Sequence, residues 1–181
     1  MVRWLTLVVV VGTLAMPAAA AGVDPRAIVL GQRDVPDQYT LDRDNSLFIT
    51  RATVAHSSDG AARRLRGVGF VAGYSTRYVN SDPPRWRYVD SAAYLFTEAR
   101  GAKAFLAYLR SAAARGVIVG RAELGDEAWL FSSRSVDTGT AMFWRHGRVV
   151  AWVSCREMTA HRTLAVGLAR KQERRIAARL T

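Results

Sequence analysis

Residues 140–156 read TAMFWRHGRVVAWVSCR, and this stretch decides the fold. Two runs rich in β-branched and aromatic residues flank His146-Gly147. That pattern predicts a β-hairpin, with the glycine supplying the positive φ of a tight turn. Centred there, the hairpin pairs Trp144 with Val149, Phe143 with Val150 and Met142 with Ala151. Both of its faces carry bulky apolar side chains, so helices are expected over one face and part of the other.

The neighbouring segments extend this sheet. Downstream, Ala160–Leu180 reads as a helix with Leu164, Leu168, Ile176 and Leu180 as its inner stripe. Arg162, Arg170, Lys171, Arg174, Arg175 and Arg179 cover much of the remainder. Upstream, Val117–Glu123 and Ala128–Ser133 are short strands. Thr97–Arg115 is the clearest helix. Ala102, Phe105, Leu106, Leu109 and Ala113 form one apolar stripe, Thr97 is a candidate N-cap, and Gly116 is the stop. Gly69–Val79 and Arg85–Phe96 pair as an earlier antiparallel hairpin across the turn 80–84. In the region 24–60, Asp34, Pro36, Asp37, Asp42, Asp44 and Asn45 are turn formers. Leu47–Ala55 is open between short helix and strand, and Ala61–Leu65 is helical. The expected fold is α+β: a single domain with an antiparallel sheet of five or six strands, packed against a middle helix and a long C-terminal helix.

A chain of 181 residues is one domain. With 50% hydrophobic and 23% charged residues, it has enough apolar surface to offset ordering entropy, which excludes disorder for most of it. The first residues read as an export signal. Arg3 is positive, Trp4–Met16 is apolar, Pro17 breaks the helix, and Ala18–Ala21 offers small residues for cleavage. Residues 1–21 are therefore expected to be a cleavable signal peptide. Residues 22–181 would be the exported domain, secreted or associated with the cell envelope. The alternative is an uncleaved anchor over Trp4–Val23, at about 20 residues just long enough to span a bilayer. The lone Cys155 excludes an internal disulfide, and no cysteine stands near the cleavage region to carry a lipid.

Most catalytic constellations are missing. His56, His146 and His161 lack zinc-site spacing. Gly73-Tyr74-Ser75-Thr76-Arg77 lacks the last glycine of a nucleophile elbow. Cys155 alternates with Val149, Ala151 and Val153, as a small core residue does, although a nucleophile paired with a histidine is the rival reading. Asp42, Asp44 and Asn45 lack the glycine and terminal glutamate of a calcium loop. No strand–glycine loop–helix unit is present, so neither a cofactor nor a metal is expected. Glu123, Asp126 and Glu127 are the candidate acids of a hydrolase, their competing reading being solvated turn residues.

Charge is the positive signal. The formal net charge is +11, and arginine supplies nearly all of the cations. Such a domain attracts polyanions or an acidic membrane surface. Arg85-Trp86-Arg87-Tyr88 alternates guanidinium and aromatic groups. Together with Trp152 these are the candidate ligand-binding residues, and Tyr74 and Tyr78 are further aromatic anchors if they line a pocket. Simple strand alternation also explains the pattern, with the aromatics inward and the arginines outward. Arg63-Arg64-x-Arg66 and the segment 170–175 add basic clusters. Export disfavours nucleic acid as the partner and favours anionic lipid or a cell-wall polymer.

Leu124-Gly125-Asp126-Glu127-Ala128, then Phe143–Val150, then the Ala/Arg-rich final helix resembles small exported actinobacterial proteins. More distantly, it is similar to the extracellular sensor-like domains of bacterial Ser/Thr kinases and to related lipoproteins. The likeness covers roughly the last 60 residues. It implies the fold and an extracytoplasmic compartment. The chain lacks the paired cysteines of the sensor-like domains and the lipidated cysteine of the lipoproteins, and no ligand-binding residue carries over. Two function classes follow. One is a monomeric, non-catalytic domain binding a small molecule or an envelope component. The other is an extracytoplasmic hydrolase.

Overall fold

In the computed structural model, residues 22–57, 59–80, 87–113, 117–132, 139–156 and 162–180 are described. The export signal, Arg85, Trp86, Gly116 and His161 lie outside them, as does the side chain of His56. Two 3₁₀ turns, Pro25–Ile28 and Gln32–Asp34, lead into strand β1 (Thr40–Ile49). Helices α1 (Arg51–Ser57) and α2 (Asp59–Gly67) follow. Then come β2 (Phe70–Asn80), β3 (Arg87–Phe96), helix α3 (Ala99–Ala113), β4 (Val117–Ala122), β5 (Glu127–Ser132), β6 (Gly139–His146), β7 (Val149–Arg156) and helix α4 (Arg162–Leu180). The strands form one antiparallel sheet in the order β1-β2-β3-β7-β6-β5-β4. The α+β architecture expected from the sequence is present, with seven strands instead of five or six.

The extra strand is β1, hidden in the sequence by its turn formers. Thr40–Asp42 and Leu47–Ile49 both pair with β2, and residues 43–46 bulge out opposite Thr76 alone. Asp42 does not prepare a cation site here. Its carboxylate accepts the Asn45 amide groups at 3.2 and 2.7 Å. The Ser46 hydroxyl donates to the Asp42 carbonyl and accepts the Arg77 backbone N–H, which stands in for a lost ladder partner. The ambiguity over Leu47–Ala55 has a local cause too. Thr50 ends the strand and caps the helix, exchanging hydrogen bonds with Thr53 at both ends.

Two further expectations are corrected. The last hairpin turns at Gly147-Arg148, so His146 pairs with Val149 and Trp144 with Ala151. A turn placed one residue late moves the register by two, which keeps every side chain on its expected face. Of these two turn residues, Gly147 alone has positive φ (53°), the glycine-first pattern of a type II′ turn. In α3, the first helical bond runs from Ala102 N–H to Glu98, so Glu98 is the half-helical residue. Thr97 instead gives its N–H to Gly69.

Helices cover both faces of the sheet. Val149, Ala151, Val153 and Cys155 of β7 point toward α4. Val150 points the other way, with Ala92 and Phe96, toward Ala102, Phe105 and Leu106 of α3. Each such large apolar side chain, once fully buried, contributes about 1.5–3 kcal/mol. The buried stripe of α4 is Ala165, Leu168, Ala169, Gln172 and Ile176. Leu164 and Leu180 are only half-buried at its flanks. Small alanines let the helix approach the sheet closely, and Gln172 fits because every polar atom finds a partner. Its Nε2 donates to Ala92 O (3.1 Å), and its Oε1 accepts from the Ser91 hydroxyl (2.9 Å). Ser91 in turn accepts the Leu30 N–H, and Leu30 O accepts the Tyr78 hydroxyl at 2.6 Å. This buried chain of bonds fastens the N-terminal 3₁₀ segment and α4 to β2 and β3.

Candidate functional site

That fastening sets a basic wall of α4 against a wall of mixed charge. On one side, Lys171, Arg174, Arg175, Ala178 and Arg179 follow helical spacing along α4, beside its buried stripe. On the other side stand Ala27, Arg33 and Asp34, from the 3₁₀ segment. Between them runs an open groove of about 440 Å³. The volume falls inside the range of about 300–1,000 Å³ usual for small-molecule sites. Five cations and one carboxylate line it.

Asp34 organises the groove. Its Oδ2 accepts the Gly31 N–H at 2.7 Å and the Arg175 guanidinium at 2.8 Å. Its carbonyl accepts Lys171 Nζ at 2.6 Å. Lys171 and Arg175 are thereby held in place with most of their donors left over. Arg33, Arg174 and Arg179 have no carboxylate within ion-pair distance among the described residues. At the rim, Asp24 caps the first 3₁₀ turn and pairs with Arg26 at 3.0 Å. Its carboxyl is held below the usual range, chiefly by the Arg26 hydrogen bond, with a contribution from the charge of Arg179. The arrangement is suited to holding a polyanion by charge-assisted hydrogen bonds.

Among the described residues, the aromatic candidates do not converge. Tyr78 is buried in the α4 side of the core, and Tyr74 packs on that side too, edge-on to Phe48. Trp152 belongs to the opposite face, stacked on Phe143. Tyr88 pairs with Arg156, whereas Trp152 pairs with Ala92 four residues further along. That is about 13 Å along the strand. Tyr88 lies under the Arg77 guanidinium, 5.3 Å from its ring centre. Arg77 in turn forms a two-pronged pair with Asp90 at 2.6 and 3.3 Å. Arg87 is half-buried and paired with Asn80 across the ladder, and strand alternation points it to the opposite face.

The candidate acids border a cavity of about 700 Å³ at the β4–β5 turn. Asp126 spends its carboxylate on Arg145 (2.5 Å) and on the Gly147 N–H (2.8 Å), tying this turn to the β6–β7 turn. Glu127 accepts the Trp129 indole N–H at 3.0 Å, and Glu123 is exposed. Cys155 is 2% exposed, within the core. Among the described residues, no group of three or more His, Cys, Asp or Glu side chains is arranged to hold a metal ion.

Sequence reasoning noticed the basic segment 170–175 but missed the groove. Its second wall comes from Arg33 and Asp34, with 137 positions between Asp34 and Lys171. No local pattern connects them.

No family model matches the chain, and no curated protein matches it in sequence. Among the described residues, no helix is long and apolar enough to cross a membrane. Among solved structures, the fold is shared with the extracellular domain of PknH from Mycobacterium tuberculosis, with a TM-score of 0.52 at 12% identity over 86% of this chain and 99% of that one. This likeness extends well beyond the last 60 residues, and it is a likeness of fold.

Proposed function

We propose that the chain is an exported, non-catalytic binding domain, secreted or held at the cell envelope, which captures an anionic envelope component. The single observation that carries this reading is the groove between α4 and the 3₁₀ segment, where five cations meet one carboxylate. The secretory pattern of residues 1–21 and the fold shared with an extracellular kinase domain support the compartment. Arg85, Trp86, Arg87, Tyr88 and Trp152 are not needed for this reading.

The test uses the purified exported chain and dextran sulfate as a generic polyanion. Binding is expected at low salt and should weaken as salt is added. The R174E/R179E variant should lose it, while R63E/R66E, which reverses the same number of charges on α2, should keep it. Equal loss in both variants would mean diffuse attraction by net charge and would end the reading. Mass analysis should find the mature N-terminus at Ala21 or Gly22, and an intact Met1 on the exported chain would overturn the leader.

A further inference from the structure

We infer that the ligand of the groove is a linear polyol-phosphate polymer, a thin chain with a phosphodiester in every backbone repeat, lying along α4. This rests on the anion-binding reading above and narrows it to one chemistry.

The first argument is spacing. Lys171, Arg175 and Arg179 are each four residues apart on one helix. A rise of 1.5 Å per residue sets neighbouring cations about 6 Å apart and the row about 12 Å long. A phosphodiester chain built on a three-carbon polyol repeats every six bonds. A polypeptide covers at most about 3.6 Å in three bonds, so six bonds reach about 7 Å. Two repeats therefore match the row, one phosphate to each cation step. Arg33, across the groove, and Arg174, on the helix flank, are placed to meet the phosphate oxygens that face away from the row.

The second argument is what the walls lack. Among the described residues, no aromatic side chain lines the groove, and the only apolar residues lining it are Ala27 and Ala178. Single-stranded nucleic acid is held by bases stacked on aromatics; the exposed Phe48 ring lies under Arg26 and outside the groove lining. A peripheral membrane site pushes apolar side chains below the headgroups, whereas the exposed Leu41, Leu47 and Phe48 stand on β1 and none of them lines the groove. A polymer with its charge in a slim backbone needs neither feature. It needs guanidinium forks at regular intervals, and four of the five cations are arginine.

The test is calorimetric titration of the exported chain with soluble poly(glycerol phosphate). Polyglutamate of matched charge, oligo-dT and vesicles of phosphatidylcholine with phosphatidylglycerol are the comparison arms. Poly(glycerol phosphate) should bind tightest. Arg33→Ala and Arg174→Ala should each weaken it roughly fivefold or more, as expected for losing a charge-assisted bond. Arg63→Ala should leave it unchanged. Both groove arginines are exposed and unpaired among the described residues, so their variants keep the fold, which circular dichroism verifies. If polyglutamate or oligo-dT binds as tightly, or the vesicles bind better, the polyol-phosphate assignment is wrong while the anion-binding reading stands. If dextran sulfate fails as well, both fall.

Discussion

His146 Nδ1 lies 2.5 Å from Glu173 Oε1, and this contact clasps the tip of the β6–β7 hairpin to α4. The other carboxylate oxygen of Glu173 accepts the indole N–H of Trp144 at 2.7 Å. Trp144 is fully buried, so its N–H has no water to turn to. Glu173→Ala should therefore cost about 1–3 kcal/mol, the penalty for stranding a buried donor. Glu173→Gln should cost less, because an amide oxygen still accepts from Trp144. Urea unfolding of the pair decides the matter, and equal stability of the two variants would refute the clasp.

A second prediction concerns Gln172. Gln172→Leu keeps roughly the volume but leaves the buried Ser91 hydroxyl without its acceptor. A loss of about 1–3 kcal/mol is expected. Adding Ser91→Ala should deepen the loss, because the buried Leu30 N–H then loses its acceptor as well. A double variant more stable than Gln172→Leu alone would contradict the relay.

Two glycines should respond in opposite directions. A Cβ at Gly101 would sit 2.0 Å from the Val68 carbonyl oxygen, where α3 passes the α2–β2 connection. Backbone has to move, and Gly101→Ala should lose about 1–3 kcal/mol. At Gly167, inside α4, an added Cβ meets nothing within 4 Å. Gly167→Ala should gain about 0.5–1 kcal/mol from helix propensity and reduced chain entropy. Thermal melts of both variants check the contrast, and a matching sign would undo it.

Tyr94 and Tyr78 set an alkaline limit. Burial raises the pKa of each above the ordinary phenol value of 10.0. An acid with a raised folded-state pKa stabilises the fold fully below its unfolded value. That contribution fades as pH climbs toward the folded value. Absorbance at the phenolate band should therefore show at least two of the six tyrosines still protonated after the others titrate, then ionising with loss of near-ultraviolet dichroism. All six titrating together in an intact fold would show that these rings are accessible.

The sequence was most readable where periodicity and burial agree. Ala102, Phe105 and Leu106 announced α3, and the alternation in 140–156 announced two strands and their faces. It was least readable where a side chain satisfies a distant backbone group. Asp42, Asp44 and Asn45 look like a loop because nothing nearby says that Ser46 will replace the ladder partner of Arg77. Gln172 looks like part of a wet helix face because Ser91 and Ala92 are some eighty positions away. The same distance hid the groove, since half of it is contributed by residues ahead of β1. Arg87, Tyr88 and Trp152 were conspicuous as a composition, but their arrangement depended on faces and register that only the assembled sheet defines.

The strand order carries a consequence for how the chain comes together in time. β3 finds its second neighbour only in β7, the last strand to be made. Until Val149–Arg156 has emerged, the first three strands form a meander with one bare flank, and β4–β6 pair among themselves with no strand joining them to it. Closure of the seam is therefore a late, all-or-nothing event. A chain truncated ahead of that hairpin would be left as a sticky fragment instead of a smaller working unit.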